Sequence, residues 1–381
     1  MADTDATNNI PAPPQPGTAL CLSGGGYRAM VFHLGALWRL NEAGLLPRLN
    51  RITSVSGGSI TSALLALAWP KLQFGDDGVA ANFNLVVDAV RGLARITIDE
   101  GAVIFGLLSP GSINDHVVSA YDQHAFHGAT LQDLPAETPG KAPRFIFLAT
   151  SVQTGALWRF ERPYMGDYIV GLFADPTISL AAAVGASSAF PPILSPAVLN
   201  LKQPVQPTPG ATLHYPPYTT EVTLSDGGVY DNLGLEQAFK EYQTVLVSDG
   251  GQKMSPDPSP AHDWARHSIR ILDIIDNQVR SLRKRILIDA YQAAQRTGGY
   301  WGIATQYANY QLAQDPLGAA NRNPTYLAAI PTRLQKMADD QQERLINWGY
   351  TVCDAALRKH WNGLYGLVIK PPVGFPYDQG Y

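Results

Sequence analysis

ALCLSGGGYRAMVFHLGALWRLNEAG (residues 19–44) and RITSVSGGSITSALLALAW (residues 51–69) repeat one order of events. Each opens on a short strand-like run, turns abruptly on glycines and continues as a helix. Ala19–Leu22 predicts a strand, SGGGYR a tight turn, and Ala29–Ala43 a helix with apolar residues at Val31, Leu34, Leu37, Trp38 and Ala43. Gly44 is the expected C-terminal stop. Arg51–Val55 predicts a second strand ending at Ser56. The helix after it, Ser59–Trp69, is apolar nearly all round and therefore expected to be buried on every side. Strand, glycine turn, helix, repeated, is the rhythm of a parallel sheet covered by helices, so the fold class is α/β.

Working outward, residues 75–143 are the least defined, with apolar helical material from Phe83 to Leu108 broken by glycines. Strands are expected at Phe145–Val152, Leu157–Phe160, Glu221–Leu224 and Thr244–Val247, with helices at Thr177–Gly185 and Leu233–Tyr242. The loop SPDPSP (255–260) is the clearest break in composition. Beyond it, Ile269–Gln295 carries apolar residues at Ile271, Ile275, Val279, Leu282, Ile286 and Tyr291, and Thr332–Trp361 forms a second amphipathic helix. These predict a leader at 1–17, disordered because it is polar and proline-rich, an α/β domain at 18–254, and a helical extension at 255–381 packed on that domain.

A net charge of −4 and a pI near 6.1 argue against a nucleic-acid binder. Cys21 and Cys353 are too few for a disulfide framework and lack metal-ligand spacing. No run approaches the roughly 18–20 apolar residues of a membrane span, and the N-terminus has neither the basic start nor the apolar core of a secretory signal. A cytoplasmic protein is expected, with any membrane contact peripheral.

Gly24, Gly25 and Gly26 lie between a strand and a helix, where unhindered amides and the helix dipole favour an anion. A dinucleotide site would need an acid closing the second strand, but that strand ends Ser54-Val55-Ser56. Ser56-Gly57-Gly58 has the form of a nucleophile elbow, departing from G-x-S-x-G at Ser54. Asp226-Gly227-Gly228 follows another strand, on the edge where parallel sheets gather ligands. Asp249-Gly250-Gly251 repeats the tripeptide, and local sequence does not choose between them.

Four stretches, CLSGGGYRA (21–29), SVSGGS (54–59), ASSAFPP (186–192) and SDGGVYDNLG (225–234), in this order and spacing resemble the patatin-like phospholipase family over roughly residues 18–250. The resemblance implies a three-layer α/β/α fold with a central, mostly parallel sheet. It implies Ser56 as nucleophile, Asp226 as its only catalytic partner, an oxyanion hole at Gly24, Gly25 and Gly26, and Arg28 as the basic residue closing that motif. The run VYDNLG after the first D-G-G selects Asp226 over Asp249. The implied activity is acyl-ester hydrolysis of lipids, of phospholipase A, lysophospholipase or esterase type, without cofactor or metal. An aspartate with a pKa near 4 is a weak base at neutral pH, so such a pair wants a water-poor cleft.

Two other readings stay open: a Ser-His-Asp esterase using His267 or His360, and a lipid-binding protein of the same fold with little turnover. His124-x-x-His127 lacks supporting ligands for a metal. VIFGLL (103–108) reads as core or as a lipid-facing lid, and Arg280, Arg283, Lys284 and Arg285 as a solvated helix face or an anionic-headgroup patch.

Overall fold

The computed structural model describes residues 13–99, 112–202, 204–252, 254–361, 363, 366–378 and 380–381. Strand β1 (Gln15–Leu22) leads through the glycine turn into α1 (Gly26–Glu42), and β2 (Arg51–Val55) through Ser56 into α2 (Gly57–Ala68). Helices α3 (Asn84–Ala94) and α4 (Ile113–Tyr121) precede β3 (Arg144–Ser151). The short strands β4 (Leu157–Phe160), β5 (Tyr164–Asp167) and β6 (Gly171–Ala174) follow, then α5 (Leu180–Ser187). Next come β7 (Ala197–Asn200), β8 (Val205–Gln206), β9 (Glu221–Asp226), α6 (Leu235–Glu241) and β10 (Tyr242–Asp249). The chain closes with α7 (Trp264–Gln292), β11 (Thr297–Gly302) and α8 (Asp339–His360). The segment VIFGLL lies outside the described residues.

Strands β11-β10-β1-β2-β3 form a parallel core, and an antiparallel meander β4-β5-β6-β8 extends it. Successive side chains of a strand point to opposite faces. In β1, Leu20 and Leu22 join the core beneath α1 and α2, while Ala19 and Cys21 join a second core with Leu235, Ala238 and Leu287 of α6 and α7. Both faces of the sheet are therefore covered, which gives the three-layer α/β/α architecture and explains why Ala19–Leu22 of β1 are apolar without alternation and why every residue of β2 is buried.

Strand β9 departs from the expected arrangement. It runs antiparallel to β3, pairing Asp226 with Ala149, whereas β2 runs parallel to β3, pairing Val55 with Leu148. Strand β4 occupies the opposite edge of β3 along Phe147–Thr150, so β2 and β9 share one edge and meet head-on. Asp226 thus comes down onto the end of β2; it does not rise beside it on the C-terminal rim of a parallel sheet.

Three boundaries also shift. Gln15–Gly17 belong to β1, not to a leader. The chain after 255 is not wholly helical, because β11 pairs parallel with β10 and extends the same sheet. Thr332–Met337 does not begin the last helix: it runs as a strap, with Arg333 O accepting from the Tyr27 amide at the start of α1 and the Met337 amide donating to Ala94 O. Helix α8 itself lies against α1 at very short range, since a Cβ on Gly35 would sit 1.9 Å from Ile346 O and one on Gly349 would sit 2.0 Å from Phe32 O. Gly35→Ala should therefore prise the pair apart and lower unfolding free energy by about 3 kcal/mol, read as a reduced urea midpoint.

Helix α7 overturns a further expectation. Ile271, Ile275, Leu282 and Ile286 are exposed, and Leu287 and Ala290 are the buried residues of the helix. Among the described residues no helix is long and apolar enough to cross a membrane.

Candidate active site

Ser56 sits between β2 and α2 with φ 51°, a conformation that side chains with a Cβ rarely adopt. The turn is held from outside: the Ser56 amide donates to Ser187 O (3.1 Å) and to Ser187 Oγ (3.0 Å). Ser187 Oγ in turn donates to Leu148 O at 2.7 Å and lies 2.8 Å from Ser59 Oγ. Ser54, where the elbow departs from glycine, satisfies its hydroxyl by donating to Ile146 O at 3.2 Å. Glycine is required just after the serine, because a Cβ on Gly57 would lie 2.1 Å from Gly26 O. The elbow and the glycine turn are thus pressed backbone to backbone.

Within that turn the three amides are not equivalent. The Gly24 amide donates to both the backbone O and Oδ1 of Asn232, each at 3.1 Å. The Gly25 and Gly26 amides find no partner among the described residues, and Gly26 opens α1, whose dipole adds positive potential there. Arg28, buried, donates from Nε to Gly250 O at 3.0 Å and from Nη1 to Ile330 O, while Nη2 has no hydrogen-bond partner among the described residues. Burial and the nearby Arg280 push its guanidinium down to about 10, so it keeps its charge at neutral pH.

Asp226 is buried at the end of β9, with Oδ1 accepting from the Gly228 amide at 2.7 Å. Its Oδ2 has no hydrogen-bond partner among the described residues, and the Ser56 hydroxyl lies beside the carboxyl. Burial raises the Asp226 pKa to about 7; Gly228 and Ser56 oppose that shift and Asp276 adds to it. Asp249 is equally buried but solvated by the protein. Burial alone would raise it, yet Arg280, the Tyr300 hydroxyl (2.6 Å) and the Gly251 amide (2.9 Å) hold it below the usual carboxylate range. Ser56 and Asp226 share a cleft of about 290 Å³ with Gly24, Gly25, Arg28 and Asn232, closed on one side by the polar face of α7. Asp249 does not line it.

Comparison with known proteins bears on the family and the fold. The family model described as patatin-like phospholipase matches residues 20–239, more than half of the chain. The chain belongs to the patatin-like phospholipase family. A search of curated proteins finds no match. Among solved structures, human GIVD cytosolic phospholipase A2 aligns at 13% identity and TM-score 0.52, over 88% of this chain and 58% of its own length. The same human protein in complex with methyl gamma-linolenyl fluorophosphonate aligns at 14% identity and TM-score 0.50, over 89% and 57%. The patatin-like chain therefore spans less than two thirds of the structures it resembles, and the likeness is one of fold.

All eight histidines of this patatin-like protein are among the described residues, and none lines the cleft with Ser56 and Asp226. His267 is exposed on α7, and His360 lines a separate cavity with Asp249 and Tyr300. His33 is buried between Ser248 Oγ (2.8 Å) and Ser23 O (2.9 Å), and burial pushes it down to about 4, so it is neutral. Among the described residues no cluster of three or more histidine, cysteine, aspartate or glutamate side chains could hold a metal ion.

Two residues that brace the site were not singled out by sequence reasoning: Ser187 at the elbow and Asn232 at the glycine turn. Each lies inside a quoted motif, ASSAFPP and VYDNLG, but partners 131 and 208 residues away in sequence leave no local signal. Asn232→Ala should remove one of the two acceptors of the Gly24 amide, leaving the backbone carbonyl, and loosen the turn, lowering kcat about tenfold with little change in KM for a short ester, measured by steady-state hydrolysis.

Proposed function

We propose that this protein is a lipid acyl hydrolase in which Ser56 is the nucleophile and Asp226 the single base, acting through an acyl-enzyme. One observation carries the reading. Strands β2 and β9 end against each other on one edge of β3, so the Ser56 hydroxyl lies beside a buried carboxyl whose pKa is near 7. Family membership supports a lipid as the acyl donor.

The chemistry follows from the geometry. Ser56 Oγ attacks the ester carbonyl while its proton passes to the unpartnered Oδ2 of Asp226. The carbonyl oxygen becomes an anion, accepting hydrogen bonds from the Gly25 and Gly26 amides, each worth on the order of 10²- to 10³-fold in rate. Collapse of the tetrahedral intermediate expels the alcohol, which takes the proton from Asp226. Water then attacks the acyl-serine with Asp226 again as base, and the proton returns to Ser56 Oγ as the fatty acid leaves. A base with a pKa near 7 is matched to both directions of this transfer. Gly24 supports the hole by holding the turn through Asn232, and Arg28 by tying it to Gly250 and Ile330.

A solved structural relative binds a fluorophosphonate, which recommends the same reagent class here. The experiment is stoichiometric labelling of Ser56 by a fluorophosphonate, together with burst release of p-nitrophenol from a short p-nitrophenyl ester and product analysis on a phospholipid panel. Labelling at another residue, or none with no acyl product, would retire the hydrolase reading and leave a lipid-binding protein of the same fold.

A further inference from the structure

Helix α7 is built inside out. A helix on a protein surface ordinarily turns its apolar stripe inward and its charges to water. Here Arg270, Asp273, Asp276, Asn277 and Arg280 face the cleft. On the far side of the helix Trp264, Ile271, Leu272, Ile275, Leu282 and Ile286 are 42% to 83% exposed. With one residue every 100°, these six side chains fall on one broad face about six turns long. A contiguous exposed apolar surface of this kind marks an interaction site.

Composition identifies the occupant. Of the six arginine and lysine side chains of α7, Arg270 and Arg280 face the cleft, Arg266 and Arg283 pair with Asp263 and Glu236, and Lys284 lies over the Tyr300 ring, which leaves Arg285 for the outward side. Arg285, exposed, flanks the apolar stripe, and Trp264 stands at its N-terminal end. Tryptophan and basic side chains bordering an aliphatic face suit the boundary between headgroups and acyl chains. An anionic bilayer supplies the charge opposite to Arg285 and an apolar interior for the aliphatic stripe.

We propose that the outward face of α7 docks the protein on an anionic lipid bilayer. The inference rests on the proposed lipid substrate and adds how that substrate is reached. Because the opposite face of the helix walls the cleft, docking brings Ser56 and Asp226 to about one helix diameter, ~10 Å, from the surface.

The test uses the full chain and vesicles of ether-linked phosphatidylcholine, with and without ether-linked phosphatidylglycerol, so that binding is read without turnover. The protein should co-sediment with the anionic vesicles at least about tenfold more tightly than with the neutral ones, less so in high salt. Trp264 fluorescence should shift to the blue, a signal absent from Trp264→Phe. The double variant Ile275→Asp/Leu282→Asp should lose about tenfold or more in vesicle binding while cleaving a short soluble ester at the parental rate, which also reports that it is folded. Three results would overturn the proposal: a parent that does not bind, a folded double variant that binds as well as the parent, or a parental dimer in light scattering that the double variant renders monomeric. A parent that binds vesicles but cleaves no ester would sink the hydrolase reading alone and leave the docking face standing.

Discussion

Asp226→Asn is expected to lower kcat by roughly 10²- to 10⁴-fold and, at pH 8, to make the protein more stable. The two effects share one cause. Burial raises the Asp226 pKa to about 7 from an ordinary value of 3.8, so the folded state holds this proton more tightly than the unfolded chain. The stability associated with the neutral carboxyl is fully present below pH 3.8, is lost as pH rises toward 7, and stays lost above it. At pH 8 the ionised carboxylate therefore costs on the order of a few kcal/mol. Asparagine mimics the neutral acid, and its side-chain oxygen can still accept from the Gly228 amide, so that cost disappears along with the base. Thermal melts should show a gain in Tm that is clearly larger at pH 8 than at pH 5 and vanishes below pH 3.8.

The same pKa predicts that kcat/KM of the parent rises with pH to a plateau, with a midpoint near 7. Asp249→Asn is the control, and its sign is reversed. Asp249 is held below the usual range, so its ionised form stabilises the fold at neutral pH and the stability is lost on acidification. That variant should retain activity within about tenfold but melt lower at pH 8. A flat rate profile between pH 6 and 8, or a larger activity loss at Asp249 than at Asp226, would mean the base has been misassigned.

Ser56→Ala should abolish fluorophosphonate labelling and reduce ester hydrolysis by about 10⁴-fold or more, leaving only what the oxyanion donors and binding provide. Its partner variant tests the strain at the elbow. Ser56 is held at φ 51° by two hydrogen bonds from its amide and by contact of the elbow with Gly26. Glycine accepts that conformation, so Ser56→Gly should be equally inactive yet about 1 kcal/mol more stable than Ser56→Ala, read from urea midpoints. Equal midpoints would show that the elbow stores no strain.

Much of this was legible in the chain itself because it is local. The strand at Arg51–Val55, the serine at the start of a glycine-rich helix, and the helical spacing from Val31 to Trp38 each depend on residues a few positions apart. Such features survive in any fold that places a strand before a turn. The antiparallel strands β5, β6, β7 and β8, two to four residues long, left no comparable pattern, since so short a strand scarcely completes one alternation.

Ser56, its glycine-rich neighbours and the presence of an aspartate after a later strand were determined by sequence alone, because an elbow and a D-G-G turn are set by side-chain size and backbone freedom at consecutive positions. What makes Ser56 and Asp226 a pair was decided in three dimensions. Strand β9 descends onto the end of β2 because β3 is long enough to pair with both on one edge. Burial, not residue type, sets Asp226 near 7 while Arg280 and Tyr300 hold its twin Asp249 low. Only the folded chain commits the Gly24 amide to Asn232 and turns the apolar face of α7 away from the core. Each of these depends on which distant residues share a surface, and hydrophobic periodicity records that a face is apolar without recording what it meets.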